Sequence, residues 1–209
     1  MASTTAPAVT TQAGKLSKSV PRPLASAERA SRSGIWVGIC AITMSFMAFT
    51  SALFVREGSM DWGHLVLPSI LYVNTVVLLA SSVTFEVSRR YMELMPSGLL
   101  RGKGLGALWL MATLVLGVTF CVGQYFAWQD LRAQGIYLAT NPNSSFFYVL
   151  TFLHALHVSA GICAFLYMLS RFLVGNGSVR RSFLESTAIY WHFMGVLWVY
   201  LLLLCRIKL

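Results

Sequence analysis

Few side chains in this apolar chain can do chemistry, and their spacing sorts them into three groups. His154 and His157 stand i, i+3 and so share a helix face, which Phe147, Leu150 and Gly161 continue. Glu185 and His192 stand i, i+7, again on one face, with Gly195 about one turn further. Asn74 and Thr75 open a third run that passes through Ser81, Ser82 and Thr84 to Glu86. Three histidines in apolar surroundings raise the question of a haem or copper site. A bis-histidine haem needs facing imidazoles at matched depth, with small residues making room for the macrocycle. At a rise of about 1.5 Å per residue, His157 and His192 reach roughly the same depth on antiparallel neighbours. No glycine-rich pocket surrounds either of them. The residues therefore read as structural: neutral histidines bonded to neighbouring helices or to a lipid headgroup. No catalytic, cofactor-binding or metal-ligating residue is expected.

Glu86 and Glu185 lie near Arg89, Arg90 and Arg181, where surface pairing is ordinary and worth little. Support of proton uptake is the functional alternative for both. Gln124 is a further polar group, near the end of its span. Cys40, Cys121, Cys163 and Cys205 are far apart, each inside an apolar run. That pattern builds neither a disulfide framework nor a zinc site, and such thiols pack as small hydrophobes. The six tryptophans are expected mainly in the interfacial belt of a membrane protein.

The elements that must position these groups follow from composition. Of 209 residues, 56% are hydrophobic and 11% charged. Soluble domains carry about 25% charged residues, so a soluble enzyme, a disordered regulator and a nucleic-acid binder are all excluded. Apolar runs long enough to cross a bilayer make the chain an all-α polytopic membrane protein. Five spans are expected at about 34–55, 65–87, 105–128, 145–173 and 187–205. Residues 1–33 form a basic tail, rich in Ala, Ser and Thr, with no apolar period, and disorder is expected there. An organelle transit peptide is the alternative for that tail. Twelve basic residues fall in the tail and the 88–104 and 171–186 loops, against four on the other side. The positive-inside rule then puts the N-terminus in the cytoplasm and the C-terminus outside. The net charge of +9 is thereby explained without an anionic ligand.

Four segments, in order, resemble haem–copper oxidase subunit III. His154-Ala-Leu-His157-Val-Ser-Ala-Gly161 is similar to its H-G-L-H-V-x-x-G motif. Glu185-Ser-Thr-Ala-Ile-Tyr-Trp191-His192-Phe193, followed by Trp198, resembles its closing E-x-x-x-x-Y-W-H-F run and the Trp after it. Pro68 and Asn74-Thr75-Val-Val-Leu-Leu-Ala-Ser81-Ser82 resemble its P…N-T-x-x-L-L-x-S-S helix, and Gln124-Tyr-Phe-Ala-Trp128 with Gly135 occupies a fourth motif. The resemblance implies the short, five-helix form of an accessory subunit free of haem and copper, which belong to partner subunits. It also implies packing against catalytic subunit I of a proton-pumping cytochrome c oxidase, with subunit II and other small subunits, and membership of a respiratory supercomplex. Bound phospholipid and support of assembly, stability and sustained proton uptake come with it. The location implied is the bacterial cytoplasmic membrane, with the mitochondrial inner membrane as the alternative. Family carboxylates are missing at Gln124, Ala127 and Gly195, which favours scaffolding and lipid binding over a proton relay. Quinol-oxidising relatives often carry Glu at the place of Asn74, so cytochrome c is the electron donor implied. A quinol oxidase subunit III or a nitric-oxide-reductase-associated homologue is the near alternative. A small transporter is the distant one, and it would show inverted repeats and broken spans.

Overall fold

The computed structural model describes residues 23–58, 67–94, 100–173 and 181–208. Residues 1–22 of the tail, Trp62, the start of the second span at Leu65, and Ser97 and Ser178 lie outside the described residues. Five helices are present: α1 (Pro23–Arg56), α2 (Ile70–Leu94), α3 (Leu100–Ala133), α4 (Pro142–Leu173) and α5 (Arg181–Lys208). Each contains a stretch long and apolar enough to cross a membrane. Helix α1 begins at Pro23, so residues 23–33, expected in the tail, are helical. Likewise α3 and α5 start several residues before their expected spans, at Leu100 and Arg181. Hydropathy marks only the turns inside hydrocarbon. The helical backbone runs on past them, because leaving the helix at the boundary would free N–H and C=O groups.

Local chemistry sets the sharpest turn. Gly135, with φ 77°, ends α3 in the left-handed conformation that glycine tolerates. Its N–H donates to the Arg132 carbonyl at 3.0 Å, and the Ile136 N–H donates to that of Leu131 at 3.0 Å, the two bonds of a Schellman motif. Seven residues later Pro142 opens α4, where its missing N–H costs nothing. Ser144 accepts the Asn141 N–H at 3.2 Å, which caps that end.

Side-chain pairings define the register. Asn74 with Phe120 and Ser88 with Gly106 set α2 antiparallel to α3. Trp128 with Thr151 and Phe120 with His154 do the same for α3 and α4. Trp198 with Thr75 and Trp191 with Ser81 set α5 against α2. Helices α2, α3, α4 and α5 thus close a four-membered ring. Among the described residues α1 touches only α4 and α5, running parallel to α5 through Thr50–Tyr200 and Glu57–Lys208. Helix α5 is the hub, with 56% of its span buried against 22–33% for the others. Lipid tails are as apolar as leucine, so burial alone supplies little driving force here. Close packing and interhelical hydrogen bonds hold such a bundle.

Candidate functional site

Because α1 and α2 do not meet, a gap opens between them with α5 as its floor. It forms a cleft of ≈ 430 Å³ at the end where α1 and α5 begin. Trp36 of α1 closes one side and Glu86 and Arg89 of α2 the other. Glu185, Ser186 and His192 of α5 line the base. The structure thereby brings together three expected residues, Glu86, Glu185 and His192, from helices distant in sequence. Glu86 accepts both Arg89 Nε at 2.9 Å and Arg89 Nη2 at 2.7 Å, and also Arg90 Nε at 3.0 Å. Arg89 continues through Nη1 to Glu93 at 2.8 Å. Glu185 accepts Arg181 Nε at 3.0 Å. The cleft mouth is therefore a rim of paired opposite charges, and its chemistry suits a zwitterionic or anionic headgroup with an acyl chain lying along the gap.

Asn74, His154 and His157 are elsewhere. Asn74 is 3% exposed in the ring core, where its Nδ2 donates to the Phe120 carbonyl at 3.3 Å. His154 is 0% exposed, its ring 5.2 Å from that of Trp198 and 5.9 Å from that of Phe120. Burial sets both residues against neighbouring helices. His157 is half-buried at the α1 seam, its ring 5.9 Å from Phe46. Its Nδ1 carries the proton, since the Leu153 carbonyl 2.6 Å away can only accept. His157 and His192 thus have separate surroundings. Among the described residues no three His, Cys, Asp or Glu side chains assemble a metal-ligand set.

The polar run on α2 proves to be a set of docking points for aromatic side chains. Ser81 donates to the Leu78 carbonyl at 2.6 Å and accepts the Trp191 indole N–H at 3.1 Å. Thr75 donates to Leu71 at 2.8 Å and accepts Trp198 Nε1 at 3.0 Å. Thr151 treats Trp128 in the same way, donating to Phe147 at 2.7 Å and accepting the indole at 3.2 Å. A hydroxyl that gives its proton to its own helix keeps lone pairs for a neighbour. Trp191 and Trp198, expected in an interfacial belt, are 0% and 1% exposed. Composition cannot tell a belt tryptophan from a core one. The signal that could have found them is the hydroxyls spaced along α2, which need donors from another helix. Gly161 and Gly123 make room for this packing. A Cβ at Gly161 would sit 2.8 Å from the Trp191 indole, and one at Gly123 would sit 2.0 Å from Asn74 Oδ1.

A family model described as cytochrome c oxidase subunit III matches residues 33–207, all five spans. The chain belongs to the cytochrome c oxidase subunit III family. Among similar subunit III proteins is cytochrome c oxidase subunit 3 of Corynebacterium diphtheriae, 32% identical over 158 residues that cover 73% of each chain. The probable cytochrome c oxidase subunit 3 of Mycobacterium tuberculosis is 31% identical over 131 residues, covering 60% of this chain and 59% of that one. The match thus spans about three fifths of the mycobacterial relative's length. A haem–copper oxidase subunit I+III of Aeropyrum pernix is 30% identical over 180 residues, 80% of this chain and 21% of that longer one. The hydroxyl–indole ladder and the charged cleft are thus features of a subunit III bundle.

Proposed function

We propose that the chain is the accessory subunit III of a bacterial cytochrome c oxidase, carrying no haem or copper itself and seated beside the catalytic subunit. The observation that carries this reading is the family match across the entire membrane bundle. The Aeropyrum pernix relative, whose name joins subunits I and III, supports catalytic subunit I as the neighbour. Subunit II and other small subunits complete the complex in the cytoplasmic membrane. The tail and the 88–104 and 171–186 loops face the cytoplasm, by the distribution of basic residues.

In this reading the cleft between α1 and α2 holds a phospholipid. The rim formed by Arg89, Arg90, Glu86, Glu185 and Arg181 meets its headgroup, and Trp36 sits at headgroup level. Glu86, fixed by three guanidinium N–H bonds, is a wall of the cleft. Glu185, at the base of the cleft, supports proton uptake by the catalytic subunit, and His192 on the same face of α5 lines the lipid site. The test compares oxidase complexes with and without this chain, at matched haem content. Initial oxygen consumption should be similar in both. The rate after many turnovers should fall much faster without the chain, and phospholipid content should drop. Equal endurance and equal lipid content would contradict the reading.

A further inference from the structure

Most buried polar side chains of the ring bond an indole, a hydroxyl or a backbone carbonyl, and two side chains have no such bond. Gln124 is 1% exposed and His154 is 0% exposed, and neither carboxamide atom of the first nor ring nitrogen of the second has a hydrogen-bond partner. They sit on adjacent antiparallel helices at one level. The Trp128–Thr151 bond lies about one turn from each on one side. On the other, the ring of Phe120, one turn before Gln124, lies against that of His154. Helical side chains lean toward the N-terminus of their own helix. On antiparallel neighbours that tilt carries Gln124 toward the level of His154, and His154 toward the level of Gln124.

The polar groups around them are already engaged. Trp198 Nε1 is bonded to Thr75, Asn74 Nδ2 to the Phe120 carbonyl, and Thr151 to both Phe147 and Trp128. Neither side chain has a hydrogen-bond partner in the protein, and buried polar atoms are bonded to protein or ordered water in the large majority of cases. A neutral imidazole presents one N–H and one bare nitrogen, and a carboxamide presents two N–H donors and one acceptor oxygen. Water both donates and accepts, so it complements either side chain in either orientation, and buried water makes two to four such bonds. We propose that Gln124 and His154 form an internal water-binding site that joins α3 to α4, separate from the charged cleft at α1 and α2. The site is a structural one. It ties two helices through a bridging hydrogen-bond pair without a direct side-chain contact.

Water-edited solid-state NMR of the full chain in phospholipid bilayers tests this directly. The His154–Ala155 step is the one His-Ala pair in the sequence, so pairwise labelling assigns that imidazole. The His154 ring and the Gln124 carboxamide should both receive magnetisation from water at mixing times when the equally buried Leu150 and Val158 methyls receive none. Gln124→Leu should slow transfer to His154 several-fold. Dry His154 and Gln124 signals in the wild-type chain overturn the proposal, whether or not the two side chains correlate directly with one another. So does a transfer rate at His154 unchanged in folded Gln124→Leu. Where that variant does not fold, the wild-type spectra alone decide.

Discussion

At the residue scale, Asn74 occupies the space that a side chain at Gly123 would need across the α2–α3 seam. Gly123→Ala would push a methyl to within 2.0 Å of Asn74 Oδ1 and displace the carboxamide from Phe120. Overpacking of this kind costs about 1–3 kcal/mol. Thermal unfolding of the purified chain should show that loss. Adding Asn74→Ala should recover part of it, because the double variant has no clash, and strict additivity would contradict the contact. His157 makes a different case. Its ring bonds its own helix at Leu153, and Tyr190 Oη donates to its backbone carbonyl at 2.7 Å, a bond that survives any substitution. His157→Leu should therefore leave initial oxygen consumption by the complex largely intact while loosening subunit or lipid retention. A collapse of the initial rate at normal assembly would place His157 in the chemistry. The i, i+3 spacing of His154 and His157 predicts one broad face. Residues so spaced still differ by about 60° around the axis, enough to put one imidazole in the core and the other at the α1 seam. No sequence pattern resolves that angle.

At the element scale, the five spans are legible because lipid demands them: a run of roughly 20 apolar residues has one economical structure in a bilayer. The ends are less so, since helices α1, α3 and α5 continue through basic and polar turns that hydropathy reads as loop. Neighbour relations are the least legible. The cleft depends on α1 packing on α4 and α5 rather than on α2, its neighbour in sequence. That choice rests on single contacts such as Tyr200 Oη to Thr50 at 3.0 Å and Lys208 Nζ to Glu57 at 2.9 Å. Orientation is a property of whole elements and can be checked with them. Ser97→Cys and Ser178→Cys, in the two basic loops, should react with an impermeant maleimide in inverted vesicles but not in intact cells. Labelling of both in intact cells would reverse the topology.

At the scale of the whole molecule, the chain is a ring of four helices tied by hydroxyl–indole bonds, with a fifth leaning on it to leave a charged-rimmed cleft. His154 and His157 lie against aromatic rings, and no metal-ligand set assembles among the described residues, so the purified chain should show no Soret absorption and no stoichiometric copper. A stoichiometric haem signal in the chain alone would contradict that reading. What makes such a bundle useful is its setting in an oxidase complex. The decisive measurement is purification of the tagged chain from its own membranes in mild detergent, with subunit composition read by mass spectrometry and haem by absorbance. A haem-bearing oxidase should be recovered, with its catalytic subunit present one-to-one with this chain and phospholipid retained. Recovery of the chain alone, or with a haem-free partner, from membranes that hold an active oxidase would contradict it.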